Sequence, residues 1–199
     1  MTRERQRNKR GEGSQLREEI LDAAHAVLST RGDESGVTLR AVARQAGIAA
    51  QSCYRHFDTR DDLLWALHER EFAALRAALE GASTPDATPL DRLRARCLAY
   101  AAYAHTHPGP YGLLFGGRGA EHHEWGGRLP GDPTSALWVS TVAECVGEGA
   151  DAHAVAADLW AGLHGTIVLR RSLPAFPWPG DLETAIDRLI DALIIRKTA

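Results

Sequence analysis

Apolar residues recur at helical spacing along the chain, and the places where that spacing breaks divide it into segments. A first helix is predicted after Ser14, with Leu16, Ile20, Ala23, Ala24, Val27 and Leu28 on one stripe and Arg31-Gly32 as its stop. Residues 38–57 follow, TLRAVARQAGIAAQSCYRHF. Thr38 is a good N-cap, Val37 and Val42 form a hydrophobic staple, and Leu39, Val42, Ala43 and Ala46 share a face. Gly47 allows the helix to end and the chain to turn. A second short helix is predicted from near Ala49, ending by Phe57. At about 100° per residue, its Ala50, Cys53 and Phe57 point inward, whereas Gln51 and Arg55 point away. Ser52 lies beside that polar pair, and Tyr54 and His56 lie on the flanks. Helix, glycine turn, short helix is the pattern of a DNA-binding helix-turn-helix, and amide, guanidinium and hydroxyl groups can bond base edges and phosphates.

Asp58-Thr59 opens a fourth helix, with Asp61 and Asp62 in its first turn and Leu64, Leu67, Phe72, Leu75 and Leu79 continuing it to about Gly81. The turn-rich segment GASTPDATP (81–89) reads as a linker. Beyond it no convincing strand pattern appears. Leu90, Leu93, Cys97, Tyr100, Ala101 and Ala104 stripe a fifth helix that ends at His107-Pro108, followed by the short aromatic piece PYGLLF. A glycine-rich loop (116–133), expected to be mobile, precedes helices predicted over 134–146, 151–173 and 181–195. The pattern predicts an all-α protein of about nine helices.

Composition changes this picture only at the edges. The overall charge of -3 hides an asymmetry: residues 1–60 hold 11 Lys and Arg against 8 Asp and Glu, and the remainder 12 against 18. A mildly basic head on an acidic body suits contact with DNA at one end. Residues 1–13 carry Arg3, Arg5, Arg7, Lys9 and Arg10 with no hydrophobe after Met1, so a disordered basic arm is expected there. Cys53, Cys97 and Cys145 are scattered within apolar helical patterns and read as core residues of a cytoplasmic protein. No apolar run approaches the ~18 residues of a membrane span, and no signal peptide is apparent.

Candidate chemistry is sparse. Glu121, His122, His123 and Glu124 cluster, but no second pair at i, i+4 spacing completes a metal site. No phosphate-binding or dinucleotide fingerprint occurs, and no nucleophile has a spaced partner. No catalytic residue, cofactor or metal is expected. Tyr103, His107, Tyr111, Phe115, Trp138, Trp160 and His164 concentrate aromatic and imidazole groups in the second half, as a small-molecule site would.

The segments REEILDAAHAVLSTRG and VTLRAVARQAGIAAQSCYRHFDTRDDLLWAL resemble the tetracycline-repressor (TetR) family of transcriptional regulators over roughly residues 14–70. Thr38, Val42, Ala43, Ala46, Gly47, Ile48, Tyr54, His56, Phe57, Thr59 and Arg60 fill the family's pattern. Two positions depart from it: Ala49 stands where a Ser or Thr cap is usual, and Ala50 where a lysine is common. Trp160, His164 and Gly165 resemble the Trp-x3-His-Gly signature of a narrower subgroup.

The resemblance implies a basic arm (1–13), a three-helix DNA-binding domain (14–60) and an all-helical ligand-binding and dimerisation domain (61–199). It implies operator contacts from Thr38, Ala49, Gln51, Ser52, Tyr54, Arg55, His56 and Arg60. It also implies a homodimer paired through the last two helices, a palindromic operator, and release from DNA by an unknown small molecule. The other reading is a helical ligand-binding protein or enzyme whose helix-turn-helix has lost its function.

Overall fold

The computed structural model describes residues 12–116 and 130–195. Residues 1–11, most of the expected basic arm, and the Glu121–Glu124 cluster lie outside the described residues. Among the described residues the chain forms nine α-helices and no strand, as its periodicity predicts. They are α1 (Glu12–Arg31), α2 (Leu39–Ala46), α3 (Ala50–Tyr54), α4 (Arg60–Glu80), α5 (Pro89–Thr106), α6 (Pro108–Phe115), α7 (Asp132–Ala143), α8 (Ala152–Ser172) and α9 (Leu182–Ile190). A π-helical turn, Asp191–Ile195, extends α9. None of these helices is long and apolar enough to cross a membrane.

The chain packs as two units, and the division falls after Arg70, within α4. The first holds residues 12–70 and 108–116 of the described chain. Three helices build its centre: Ile20, Ala24 and Leu28 come from α1, Val42 and Ala43 from α2, and Leu63 and Leu67 from α4, all buried together with Cys53 and Phe57. Thr38 caps α2 by accepting from the Ala41 N–H at 3.1 Å, and Val37 and Val42 are both buried, as the staple requires. At the other end Gly47 adopts φ 67°, its N–H reaching the Arg44 carbonyl and that of Ile48 reaching Ala43. This glycine-centred closure satisfies two carbonyls that the helix end would leave open.

The predicted second helix is shorter than its periodicity suggests. α3 covers only Ala50–Tyr54, and Arg55 and His56 continue it as a turn, with the N–H groups of His56 and Phe57 sharing the Cys53 carbonyl. Thr59 and Asp62 then open α4 with reciprocal bonds, Asp62 N–H to Thr59 Oγ1 at 3.1 Å and Thr59 N–H to Asp62 Oδ2 at 2.9 Å. PYGLLF, read only as an aromatic piece, belongs to the helix α6. It packs on α1 so closely that a Cβ at Gly109 would stand 2.8 Å from the Leu28 carbonyl oxygen.

The second unit holds residues 71–107 and 130–195 of the described chain. Thr88, Asp151 and Asp181 cap α5, α8 and α9 by accepting backbone N–H groups three residues on. Leu93, Cys97 and Tyr100 of α5, Val142 of α7, Leu159 and Leu163 of α8 and Ile186 of α9 are fully or almost fully buried. Burial pushes the Cys97 thiol up to about 12, as expected for a core residue. Arg94 of α5 holds Asp187 of α9 in a two-pronged pair at 2.6 and 3.1 Å. The sequence-based edge at 60/61 and the linker at 81–89 therefore bracket the division in packing. Leu63 and Leu67 fill the first unit, whereas Leu75 and Leu79 lie beyond the division.

Candidate functional site

The first candidate surface follows from how α3 is anchored. Cys53 and Phe57 are buried, so the opposite face is held outward: Gln51, Tyr54 and Arg55 are exposed, Tyr54 by 40%, and Ser52 and His56 are half-buried. Ala49 enters the helix in extended conformation without a side-chain cap. Thr38 is exposed at the start of α2, and its hydroxyl is already accepting a cap bond, which leaves its O–H able to donate.

Arg60 is placed differently from the other candidates. Its Nε donates to the Val37 carbonyl at 2.8 Å, and Nη2 donates to that of Glu34. The guanidinium ties the start of α4 to the turn that launches α2. Arg17 of α1, which sequence reasoning did not single out, stacks 5.1 Å above the Phe57 ring. Nothing in its local sequence marks it, because its partner lies 40 residues away in the chain.

The aromatic candidates fall into separate groups. Tyr111 is buried and meets Phe115 edge-on at 5.0 Å, and both belong to α6 in the first unit. The rest lie in the second unit. Tyr103 is buried, donates to the Glu71 carboxylate at 3.2 Å and stacks on the exposed His107 at 4.6 Å. Burial, with the Glu71 charge added, pushes the Tyr103 phenol well above its ordinary value.

Trp138, Trp160 and His164 gather around a residue absent from the candidate set, Tyr100. Trp160 Nε1 donates to the Tyr100 hydroxyl at 3.0 Å, that oxygen lies 3.2 Å from His164 Nδ1, and the Trp138 ring meets Tyr100 edge-on at 6.0 Å. Burial, helped by Arg171, lowers the His164 pKa. The neutral ring can then accept at Nδ1 the one proton that Tyr100 has to give. Tyr100 was legible as a stripe residue but not as a hub, since its polar partners come from α8. Among the described residues no group of His, Cys, Asp and Glu is arranged to hold a metal.

Comparison with known proteins finds family matches in two stretches of the chain. Residues 20–67 match the family described as bacterial regulatory proteins, tetR family, and residues 93–193 match the tetracyclin repressor-like C-terminal domain. The chain is 30% identical over 155 residues to an HTH-type transcriptional regulator of Mycobacterium tuberculosis, a match covering 77% of this chain and 69% of that protein. It is 39% identical over 77 residues to the transcriptional repressor KstR of the same organism, covering 39% of this chain and 34% of KstR. A solved structure from Rhodococcus sp. RHA1, of a protein of unknown function, superposes with a TM-score of 0.73 at 28% identity, covering 92% of this chain and 95% of that one.

Proposed function

Because the chain belongs to the tetR family and is a helix-turn-helix transcriptional regulator, we propose that it works in the cytoplasm as a homodimeric repressor, releasing a palindromic operator when a small molecule binds its second unit. The observation that carries the DNA-reading part is the outward face of α3. Cys53 and Phe57 are buried, whereas Gln51, Tyr54 and Arg55 are exposed with Ser52 half-buried between them, a set of groups able to bond base edges and phosphates. Ala49 and His56 flank those residues in the chain, Thr38 is exposed at the start of α2, and Arg60 ties the start of α4 to the turn before α2.

One five-residue helix covers too little DNA to be specific, and two copies about one helical turn apart read a palindrome. The outer face of α8 supports such pairing: Ala157 and Ala161 are exposed, and Leu169 beyond them is 48% exposed. Small residues there allow a second helix to approach closely. The effector would bind a state with altered spacing of the reading helices more tightly than the operator-bound state, and so shift the population. α4 contributes residues to both units and is the natural carrier of that change.

Selection from random duplex DNA, followed by gel shift on the enriched sequence, tests this reading. A two-fold symmetric site is expected, and light scattering should give a dimer that Ala161→Glu converts to a monomer. Failure to enrich any sequence would favour a ligand-binding protein with a non-functional helix-turn-helix.

A further inference from the structure

The seam between α5 and α7, within the second unit, is built in two layers. Arg96 and Tyr100 lie one turn apart on α5, and Thr141 and Trp138 lie three residues apart on α7, so the layers are separated by about one helical pitch, ~5.4 Å. In one layer Arg96 Nη1 donates to the Thr141 hydroxyl, whose own proton goes to the Leu137 carbonyl at 2.6 Å. In the other the Tyr100 and Trp138 rings meet edge-on.

Both layers contain a buried donor without an acceptor among the described residues: Arg96 Nε and Trp138 Nε1. Trp138 is only 5% exposed, so its indole N–H has no general recourse to bulk solvent. Indole and guanidinium have hydrogens to give and no lone pair to receive. Their complement is a group that only accepts. The nearby carboxylates are engaged elsewhere, Glu144 by Arg92 and Glu80 by Arg76 at 3.7 Å. Burial and the neighbouring Arg92 both disfavour the Arg96 cation, with Glu144 and Glu80 opposing them.

We infer that this seam binds the carboxylate of an apolar organic acid, with Arg96 and Trp138 as its donors and the Tyr100 and Trp138 rings against its body. A carboxylate supplies two acceptor oxygens and a single negative charge, which balances one guanidinium. A phosphate dianion would bring a second charge towards Glu80 and Glu144. The inference rests on the reading that the second unit senses a small molecule, and it names the class of that molecule.

The test is calorimetry on the full-length protein without DNA, using benzoate, 1-naphthoate, octanoate and decanoate, each beside its neutral amide. At least one acid is expected to bind, with its amide about 10-fold weaker or worse, the scale of a lost charge-assisted bond. Arg96→Gln should abolish the preference for acid over amide. Trp138→Phe, which keeps an aromatic ring and removes the N–H, should weaken the acid several-fold and leave the amide nearly unchanged. Either variant alone suffices if the other does not fold. Binding of no acid, equal binding of acid and amide, or a preference left unchanged by either substitution would overturn the inference. A gel shift with the acid then addresses the separate regulatory reading: an acid that binds at this seam yet leaves operator affinity unchanged would remove ligand-gated release and keep the site.

Discussion

The Trp160 indole donates to the Tyr100 hydroxyl at 3.0 Å, joining a half-exposed residue of α8 to a fully buried one of α5. The same oxygen lies beside His164, so one hydroxyl serves two polar rings. Tyr100→Phe keeps the ring and its packing on Trp138 but removes the oxygen that both contacts use. The expected cost is about 0.5–1.5 kcal/mol, the net worth of a typical intramolecular hydrogen bond. In a chain of this size that lowers the melting temperature by roughly 2–4 °C for each kcal/mol. Calorimetric unfolding of the variant checks it, and an unchanged melting temperature would mean that the contact contributes nothing.

His68 and His164 both have pKa values below that of an ordinary histidine, with burial the first cause in each. At His164 Arg171 adds to the effect. At His68 the backbone of Leu113, Leu64 and Leu114 and the charge of Glu34 oppose it without cancelling it. A histidine whose folded pKa is depressed binds its proton more readily when unfolded. Its contribution to stability is therefore present above about pH 6.5, the ordinary histidine value, and is lost as pH falls from there towards the folded value. Urea unfolding at intervals from about pH 8 to about pH 5 should show stability declining below about 6.5. His68→Gln and His164→Gln should each flatten that decline, and a slope unchanged in both would refute the assignment.

Arg60 and Arg55 make a contrast that salt dependence can resolve. Arg60 is tied to the Val37 and Glu34 carbonyls, whereas Arg55 is exposed on the outward side of α3. Loss of a phosphate contact reduces the slope of log affinity against log salt by about one, whereas loss of a brace weakens binding without that signature. Arg55→Ala is expected to lower both affinity and slope. Arg60→Ala should lower affinity by a similar factor and leave the slope alone. A reduced slope for Arg60→Ala would make it a phosphate ligand.

What the sequence revealed and what it hid follow from the range of each interaction. Thr38, Val37, Val42 and Gly47 act on near neighbours in the chain, so their types and spacing were enough to place α2 and its stop. The inward turn of Cys53 and Phe57 followed from helical periodicity alone. Arg60 could not be assigned in this way, because its carbonyl partners lie 23 and 26 residues back. Glu71 sits in the polar run HEREF and reads as a surface charge, yet it is buried against Tyr103. α6 is apolar on nearly every side, which leaves no periodicity to distinguish a helix from a buried loop.

The uncapped entry of α3 leads to the last expectation. Ala49 has φ -66° and ψ 141°, the extended geometry of an N-cap residue, yet it offers no side-chain acceptor. A serine at this position could accept a backbone N–H of the first turn without rearranging the chain. Ala49→Ser is therefore expected to stabilise the protein by about 0.5–2 kcal/mol, the range measured for such caps. Because α3 is only five residues long, the cap also acts on the order of the reading face, and operator affinity should rise with stability. Denaturant midpoints and gel-shift titration on the same preparation measure both. A stabilised variant with unchanged affinity would show that the reading face is already ordered before DNA arrives, and a destabilised one would show that the hydroxyl cannot reach the first turn.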